Sequence, residues 1–142
     1  MRLADGTEIQ ARGVDELILT DADLTPTYGL YLDERWRKRD ILWQHTFIDW
    51  PDFGVPPDEP ALFEAIVEAW ERATRGDIVE VACRGGIGRT GTVVACMAIL
   101  SGVPSSGAVD WTRAQYDARA VETDTQEELV ARFGEWHELR AG

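Results

Sequence analysis

Val81-Ala82-Cys83-Arg84-Gly85-Gly86-Ile87-Gly88-Arg89-Thr90-Gly91 is the stretch on which the rest of this chain is arranged. The run before it, Asp77–Ala82, reads as a strand, and the apolar run after it, Thr92–Leu100, suits a helix. Cys83 is therefore expected at the end of a strand and Arg89 at the start of a helix, with Gly85, Gly86 and Gly88 between them. Such an arrangement is an anion cradle. Glycines let the backbone turn sharply and present successive N–H groups. The helix start adds free N–H donors and a positive dipole end. Arg89 adds a planar fork that grips two oxygens of one phosphate. A thiol at the bottom of such a field is favoured as thiolate, the nucleophilic form. The plainer reading of the same residues is a buried cysteine that closes a strand before a glycine-rich turn.

Cys-x5-Arg-Thr with this glycine spacing resembles the signature of the cysteine-dependent protein-tyrosine and dual-specificity phosphatase superfamily. Gly86–Gly91 (GIGRTG) is similar to the tyrosine-specific branch, whereas the short chain is similar to the dual-specificity branch. The resemblance implies an α/β fold, a central mostly parallel sheet flanked by helices, built as a single phosphatase domain over residues 1–142. It implies Cys83 as nucleophile. Phosphate would be bound by Arg89 and by the backbone N–H groups of Arg84, Gly85, Gly86, Ile87 and Gly88, and the Thr90 hydroxyl would stabilise the departing thiolate. No cofactor and no metal are expected, because Arg89 and the loop supply the positive potential.

Trp50-Pro51-Asp52-Phe53-Gly54-Val55-Pro56 resembles the mobile acid loop of the same superfamily. The resemblance makes Asp52 the acid that protonates the leaving oxygen. Pro51, Gly54 and Pro56 suit a loop with fixed ends and one permissive joint. Read alone, the stretch is a polar turn after a strand. Ala120–Gln126 resembles the segment where the superfamily carries Gln-Thr-x-x-Gln, with Glu122 in place of the first glutamine and Gln126 matching the second. Gln126 is then a candidate for positioning the water that hydrolyses a phosphocysteine. The alternative is an exposed polar residue in the first turn of a helix capped by Thr123. A second departure is Ala82, where relatives carry a histidine that helps order the loop. Reduced turnover, not inactivity, is expected from it.

Length and charge bound the rest. The 142 residues, 44% of them hydrophobic, suffice for one domain with a core. Net charge is −12, and Lys38 is the only lysine. So acidic a chain disfavours nucleic acid and anionic membrane as partners. A phosphoprotein or a small aryl phosphate fits better as substrate. Met1–Asp5 does not read as a signal peptide, and Thr92–Leu100 is too short to span a bilayer, so a cytoplasmic location is expected. Cys83 and Cys96 are not expected to pair, since Cys96 lies about 12 Å along the helix at 1.5 Å per residue. His45 and His137 do not form a zinc spacing with them.

Along the chain, Gly6–Val14 and Leu17–Leu19 read as short strands, Asp21–Thr27 as a turn and Gly29–Leu32 as a strand. Arg35–Arg39 reads as a solvated turn in preference to a substrate-facing basic surface. Ile41–Ile48 reads as a buried strand holding a structural His45. Asp58–Arg75 is an amphipathic helix, started near Pro60 and stopped by Gly76. Because it separates two strands, those strands should be parallel, with Asp52 and Cys83 emerging on one side. A further helix follows Pro104 to about Asp117, and Leu129, Val130, Phe133 and Trp136 mark the core face of the last one. The implied activity is hydrolysis of phosphate monoesters, phosphotyrosine foremost and dual specificity beside it, through a phosphocysteine. The alternative left by Ala82 is a phosphate-binding pseudophosphatase that docks phosphoproteins without turnover. Oligomeric state is not legible.

Overall fold

Four short strands, β1 (Gln10–Gly13), β2 (Tyr28–Tyr31), β3 (Gln44–Phe47) and β4 (Val79–Cys83), pair in the order β1-β4-β2-β3, every pair parallel. These belong to a computed structural model, which describes residues 1–13 and 25–141. The strand expected at Leu17–Leu19, the end of the one ending at Val14 and most of the turn at Asp21–Thr27 lie outside the described residues. Helices α1 (Glu59–Thr74), α2 (Gly88–Leu100), α3 (Ala108–Gln115) and α4 (Asp124–Ala141) complete the architecture. The expected α/β fold, a parallel sheet flanked by helices, is the one observed.

Local chemistry explains each boundary that positions the site. Asp58 starts α1 by accepting a hydrogen bond from the Ala61 N–H at 3.1 Å, which satisfies one of the free donors of the first turn. Leu62, Phe63, Ala65, Ile66 and Ala69 recur on one face and are buried, and Gly76 in a left-handed conformation (φ +102°) ends the helix. Helix α2 is buried from Gly88 through Ala98. It is the axis against which α1, α3, α4 and β4 pack. Cys96 is a core residue there, and burial pushes its thiol pKa up. Phe63, Phe133 and Trp136 meet ring to ring at 5.3–5.6 Å between α1 and α4. Each fully buried side chain of this size contributes about 1.5–3 kcal/mol.

The two faces of the sheet differ. Tyr28 and Leu30 of β2 and Val79, Val81 and Cys83 of β4 join the helices in the large apolar core. Alternate residues point the other way. There Tyr31 and Ala82 pack with Trp36, Ile41 and Phe47, beside a buried ion pair between Arg12 and Glu80. The Tyr31 hydroxyl donates to Glu80 at 2.7 Å and accepts from the Trp43 indole at 2.8 Å. Glu80 and burial both raise the Tyr31 pKa, burial more.

Two expectations change. The strand read over Ile41–Ile48 shrinks to Gln44–Phe47 and is half-exposed, because among the described residues β3 lies at the edge of the sheet and pairs with β2 alone. His45 is exposed, packing on the Tyr31 and Phe47 rings, with Nδ1 2.8 Å from the Trp43 carbonyl. The basic run is a 3-10 turn, Glu34–Lys38, capped by Asp33. Its flanks are in solvent, but Trp36 turns inward and is buried.

Candidate active site

Parallel pairing puts the C-terminal ends of β2, β3 and β4 on one edge, and four segments meet there. The end of β4 and the loop after it carry Cys83 to Ile87. The start of α2 carries Gly88 to Thr90, the loop after β3 carries Asp52 and Phe53, and the turn before α4 carries Glu122. A cavity of about 250 Å³ is lined by Asp52, Phe53, Cys83, Arg84, Gly85, Ile87, Gly88, Arg89 and Glu122. Larger cavities lie elsewhere on the surface, away from Cys83 and Arg89.

Cys83 is buried as the last residue of β4. The Gly86 N–H donates to its Sγ at 3.2 Å, so the loop folds back on the sulfur. That fold needs glycine at 86. Its φ is +74°, and a Cβ there would stand 2.9 Å from the Arg12 carbonyl carbon and the Gly13 nitrogen of β1. The Tyr116 hydroxyl at the end of α3 donates to the Gly86 carbonyl and closes the loop from the other side.

Arg89 is 3% exposed, and its guanidinium is clamped. Nη1 donates to the Trp50 carbonyl at 2.8 Å and the Leu32 carbonyl at 3.3 Å. Nη2 donates to Asp33 Oδ2 at 2.8 Å and stands 3.6 Å from Asp52 Oδ1. Nε is buried and has no partner among the described residues, and the same holds for the Thr90 hydroxyl. A buried cation with an unsatisfied donor beside an open cavity is a site made for an anion. Asp33 also accepts from the Arg35 N–H at 2.9 Å and from Arg35 Nη1 at 3.0 Å. Burial alone would raise the Asp33 pKa. The Arg35 N–H and the Arg89 and Arg35 guanidiniums outweigh it and hold the carboxyl below its ordinary range.

The acid loop is a compact turn. The Trp50 indole, buried in the core, donates to the Gly54 carbonyl at 2.6 Å, and the Gly54 N–H donates to the Pro51 carbonyl at 3.1 Å. Asp52 projects to the cavity mouth, half in solvent. Phe53 beside it adopts a left-handed φ of +60° and exposes its ring at the rim. Glu122 faces them across the opening, its carboxyl set so closely over Gly88 that a side chain there would have to push it aside. Burial and the Asp52 charge raise the Glu122 pKa, against lowering by Arg89 and Arg119.

The structure therefore brings Cys83, Arg84, Gly85, Ile87, Gly88, Arg89 and Asp52 to one cavity, whereas Gly86 does not line it and turns its N–H to the Cys83 sulfur. Thr90 is buried in the first turn of α2. Gln126 is fully buried and does not line the cavity. Its Oε1 accepts from the Glu122 N–H at 2.9 Å and its Nε2 donates to the Gly54 carbonyl at 3.4 Å. It links the acid loop to the Glu122 turn, while its own N–H donates to the Thr123 hydroxyl at 3.2 Å. Sequence reasoning missed Asp33, Trp36 and Tyr116. The signal for Asp33 was its place just after the strand that neighbours β4. Among the described residues no group of His, Cys, Asp or Glu is placed to hold a metal ion, and no helix is long and apolar enough to cross a membrane.

Known proteins share sequence and fold with this chain. The sequence profile described as protein-tyrosine phosphatase matches residues 19–123. An uncharacterized protein of Methanocaldococcus jannaschii, MJECL20, is 36% identical over 114 residues, 72% of this chain and 72% of that protein. Receptor-type tyrosine-protein phosphatase C of Mus musculus is 42% identical over 66 residues, 45% of this chain but 5% of the receptor. The crystal structure of Tk-PTP in the active form superposes with a TM-score of 0.62 at 30% identity, covering 78% of this chain and 80% of that one. The chain belongs to the protein-tyrosine phosphatase family.

Proposed function

We propose that this protein hydrolyses phosphate monoesters, phosphotyrosine above all, through a phosphocysteine on Cys83. The observation that carries the reading is convergence: a thiol and a buried guanidinium, its Nε without a partner among the described residues, reach one cavity from the β4–α2 unit, and a half-exposed carboxyl reaches it from the separate loop after β3. A binding site for phosphate needs the cradle and Arg89. It does not need Asp52 at the mouth.

In the proposed reaction the ester's equatorial oxygens rest on Arg89 and on the N–H groups of Arg84 to Arg89. The Cys83 thiolate attacks phosphorus in line, the P–O bond to the leaving group breaks, and Asp52 gives that oxygen its proton. The loop dipoles and the start of α2 meet the charge of a loose transition state without reorganising. Water then attacks phosphocysteine. The Asp52 carboxylate takes its proton, the S–P bond breaks, and the Thr90 hydroxyl, which has no partner among the described residues, stabilises the departing thiolate. Gln126 acts here by holding the acid loop against the Glu122 turn. The Phe53 ring at the rim favours an aryl ester, whose ring it can stack on.

Hydrolysis of a chromogenic aryl phosphate against pH tests this. Wild type turns over, Cys83→Ser is inert, and Asp52→Ala loses about 10²–10⁴-fold in kcat with a flattened basic limb. Wild type that binds vanadate but releases no phosphate in reducing buffer would overturn the reading in favour of a pseudophosphatase. Phosphotyrosyl, phosphoseryl and phosphothreonyl peptides then rank the substrates.

A further inference from the structure

Behind the nucleophile, on the sheet face away from the large core, the Trp36 indole N–H donates to the carbonyl oxygen of Cys83 at 3.0 Å. The indole is held on several sides. Its ring stacks on Tyr31 at 4.6 Å with an interplanar angle of 26°. The Arg39 guanidinium covers it at 5.0 Å. Ala82 belongs to the same buried cluster as both residues, and Tyr31 is itself fixed through Glu80 and Trp43.

The bonded carbonyl belongs to the peptide that joins Cys83 to Arg84, the first of the phosphate loop. That peptide is planar and trans, so gripping its oxygen fixes the direction of the Arg84 N–H and of the Cys83 Cα together. A hydrogen bond accepted by the oxygen also polarises the same peptide and strengthens its N–H as a donor. We propose that Trp36 is a positioning residue for Cys83: its indole N–H anchors the first peptide of the loop and so sets the reactivity of the thiol. The proposal rests on the phosphatase reading only for its effect on turnover.

A substitution that removes one atom pair and keeps the shape separates this role from packing. Replacing Trp36 by benzothienylalanine in the full-length chain exchanges the indole N–H for sulfur. Trp36→Phe is the coarser companion. Two readouts are taken beside thermal melts: the rate of Cys83 carboxymethylation by iodoacetate at pH 6, with Cys83→Ser as background for the buried Cys96, and kcat and KM on an aryl phosphate. The benzothienyl variant is expected to melt like wild type, to react with iodoacetate about fivefold more slowly and to lose about five- to tenfold in kcat with KM within about twofold, the weight of one hydrogen bond beside the reacting group. Unchanged alkylation overturns the proposal, whether or not the melting temperature moves, because Trp36 is then packing alone. If wild type has no phosphatase activity, the function proposed above fails, and the alkylation rate still decides the role of Trp36.

Discussion

Asp33 is the residue whose removal tests the site most sharply, because one carboxylate serves two arginines in very different surroundings. Arg35 is 47% exposed and Arg89 is 3% exposed. An exposed pair contributes about 0–1 kcal/mol. Leaving a buried charge without its partner costs about 3–5 kcal/mol. Asp33→Ala should therefore destabilise by about 3–5 kcal/mol and Arg35→Ala by about 1 kcal/mol or less. At about 3 °C per kcal/mol for a chain of this size, the first loses roughly 10 °C or more and the second a few degrees. Asp33→Asn keeps the shape and isolates the charge. The Asp33 carboxyl is held below its ordinary range in the fold, so its stabilisation is present above the unfolded value and lost as pH falls through the folded one. The gap between wild type and Asp33→Asn should therefore narrow as pH drops below about 4. Activity should fall further than stability predicts. A guanidinium freed to shift by about 1 Å costs on the order of 100-fold in turnover. Urea melts at neutral and acid pH, with kcat/KM on an aryl phosphate at each, provide the numbers. Equal losses for Asp33→Ala and Arg35→Ala would refute the reasoning, since Arg89 would then be held by the Leu32 and Trp50 carbonyls alone.

Two further predictions concern the cavity walls. Glu122 has a raised pKa, so its protonated form is favoured in the fold and its ionised form costs stability at neutral pH. Glu122→Gln should raise the melting temperature at pH 7, with the difference vanishing below the ordinary glutamate range, and a lower melting temperature at pH 7 would sink this. Gly86→Ala meets both a left-handed φ and the backbone of β1, and should cost about 1–2 kcal/mol or more. A Cβ at Gly85 meets nothing within 4 Å, so Gly85→Ala is the control, and equal losses from the two would discard the argument.

The sequence was readable where cause and effect lie close together in the chain. The cradle is contiguous, so residue order alone placed Cys83 at a strand end and Arg89 in the first turn of α2. Helix α1 announced itself through Asp58, Pro60, one apolar face and Gly76. The strand–helix–strand reading brought Asp52 to Cys83 because a crossover of that kind makes parallel strands. The edge position of β3 was not readable, since an apolar run does not say how many neighbours a strand has. Asp33, Trp36 and Tyr116 stayed hidden for one shared reason. Each bonds to a residue far away in sequence, brought near by the order β1-β4-β2-β3 or by the packing of α3, and none belongs to a motif.

Those hidden partners change the electrostatic account of the cradle. Around the cavity stand the guanidiniums of Arg84 and Arg89 and the carboxyls of Asp33, Asp52 and Glu122. With all ionised, and with Arg35 counted as the second partner of Asp33, these side chains carry no net charge, in a chain of net charge −12. Net side-chain charge therefore would not supply the attraction that the proposed function requires for a phosphate dianion. It must come from groups whose charge cannot be cancelled by a neighbouring carboxylate at distance: the loop N–H donors, of which Gly86 already reaches the sulfur, the start of α2, and the free Nε of Arg89. Such donors act only at contact range and in fixed geometry. On the proposed function, the residues that fix the geometry, Asp33 for the arginine and Gly86 and Tyr116 for the loop, would then bear on the chemistry as directly as the residues that line the cavity.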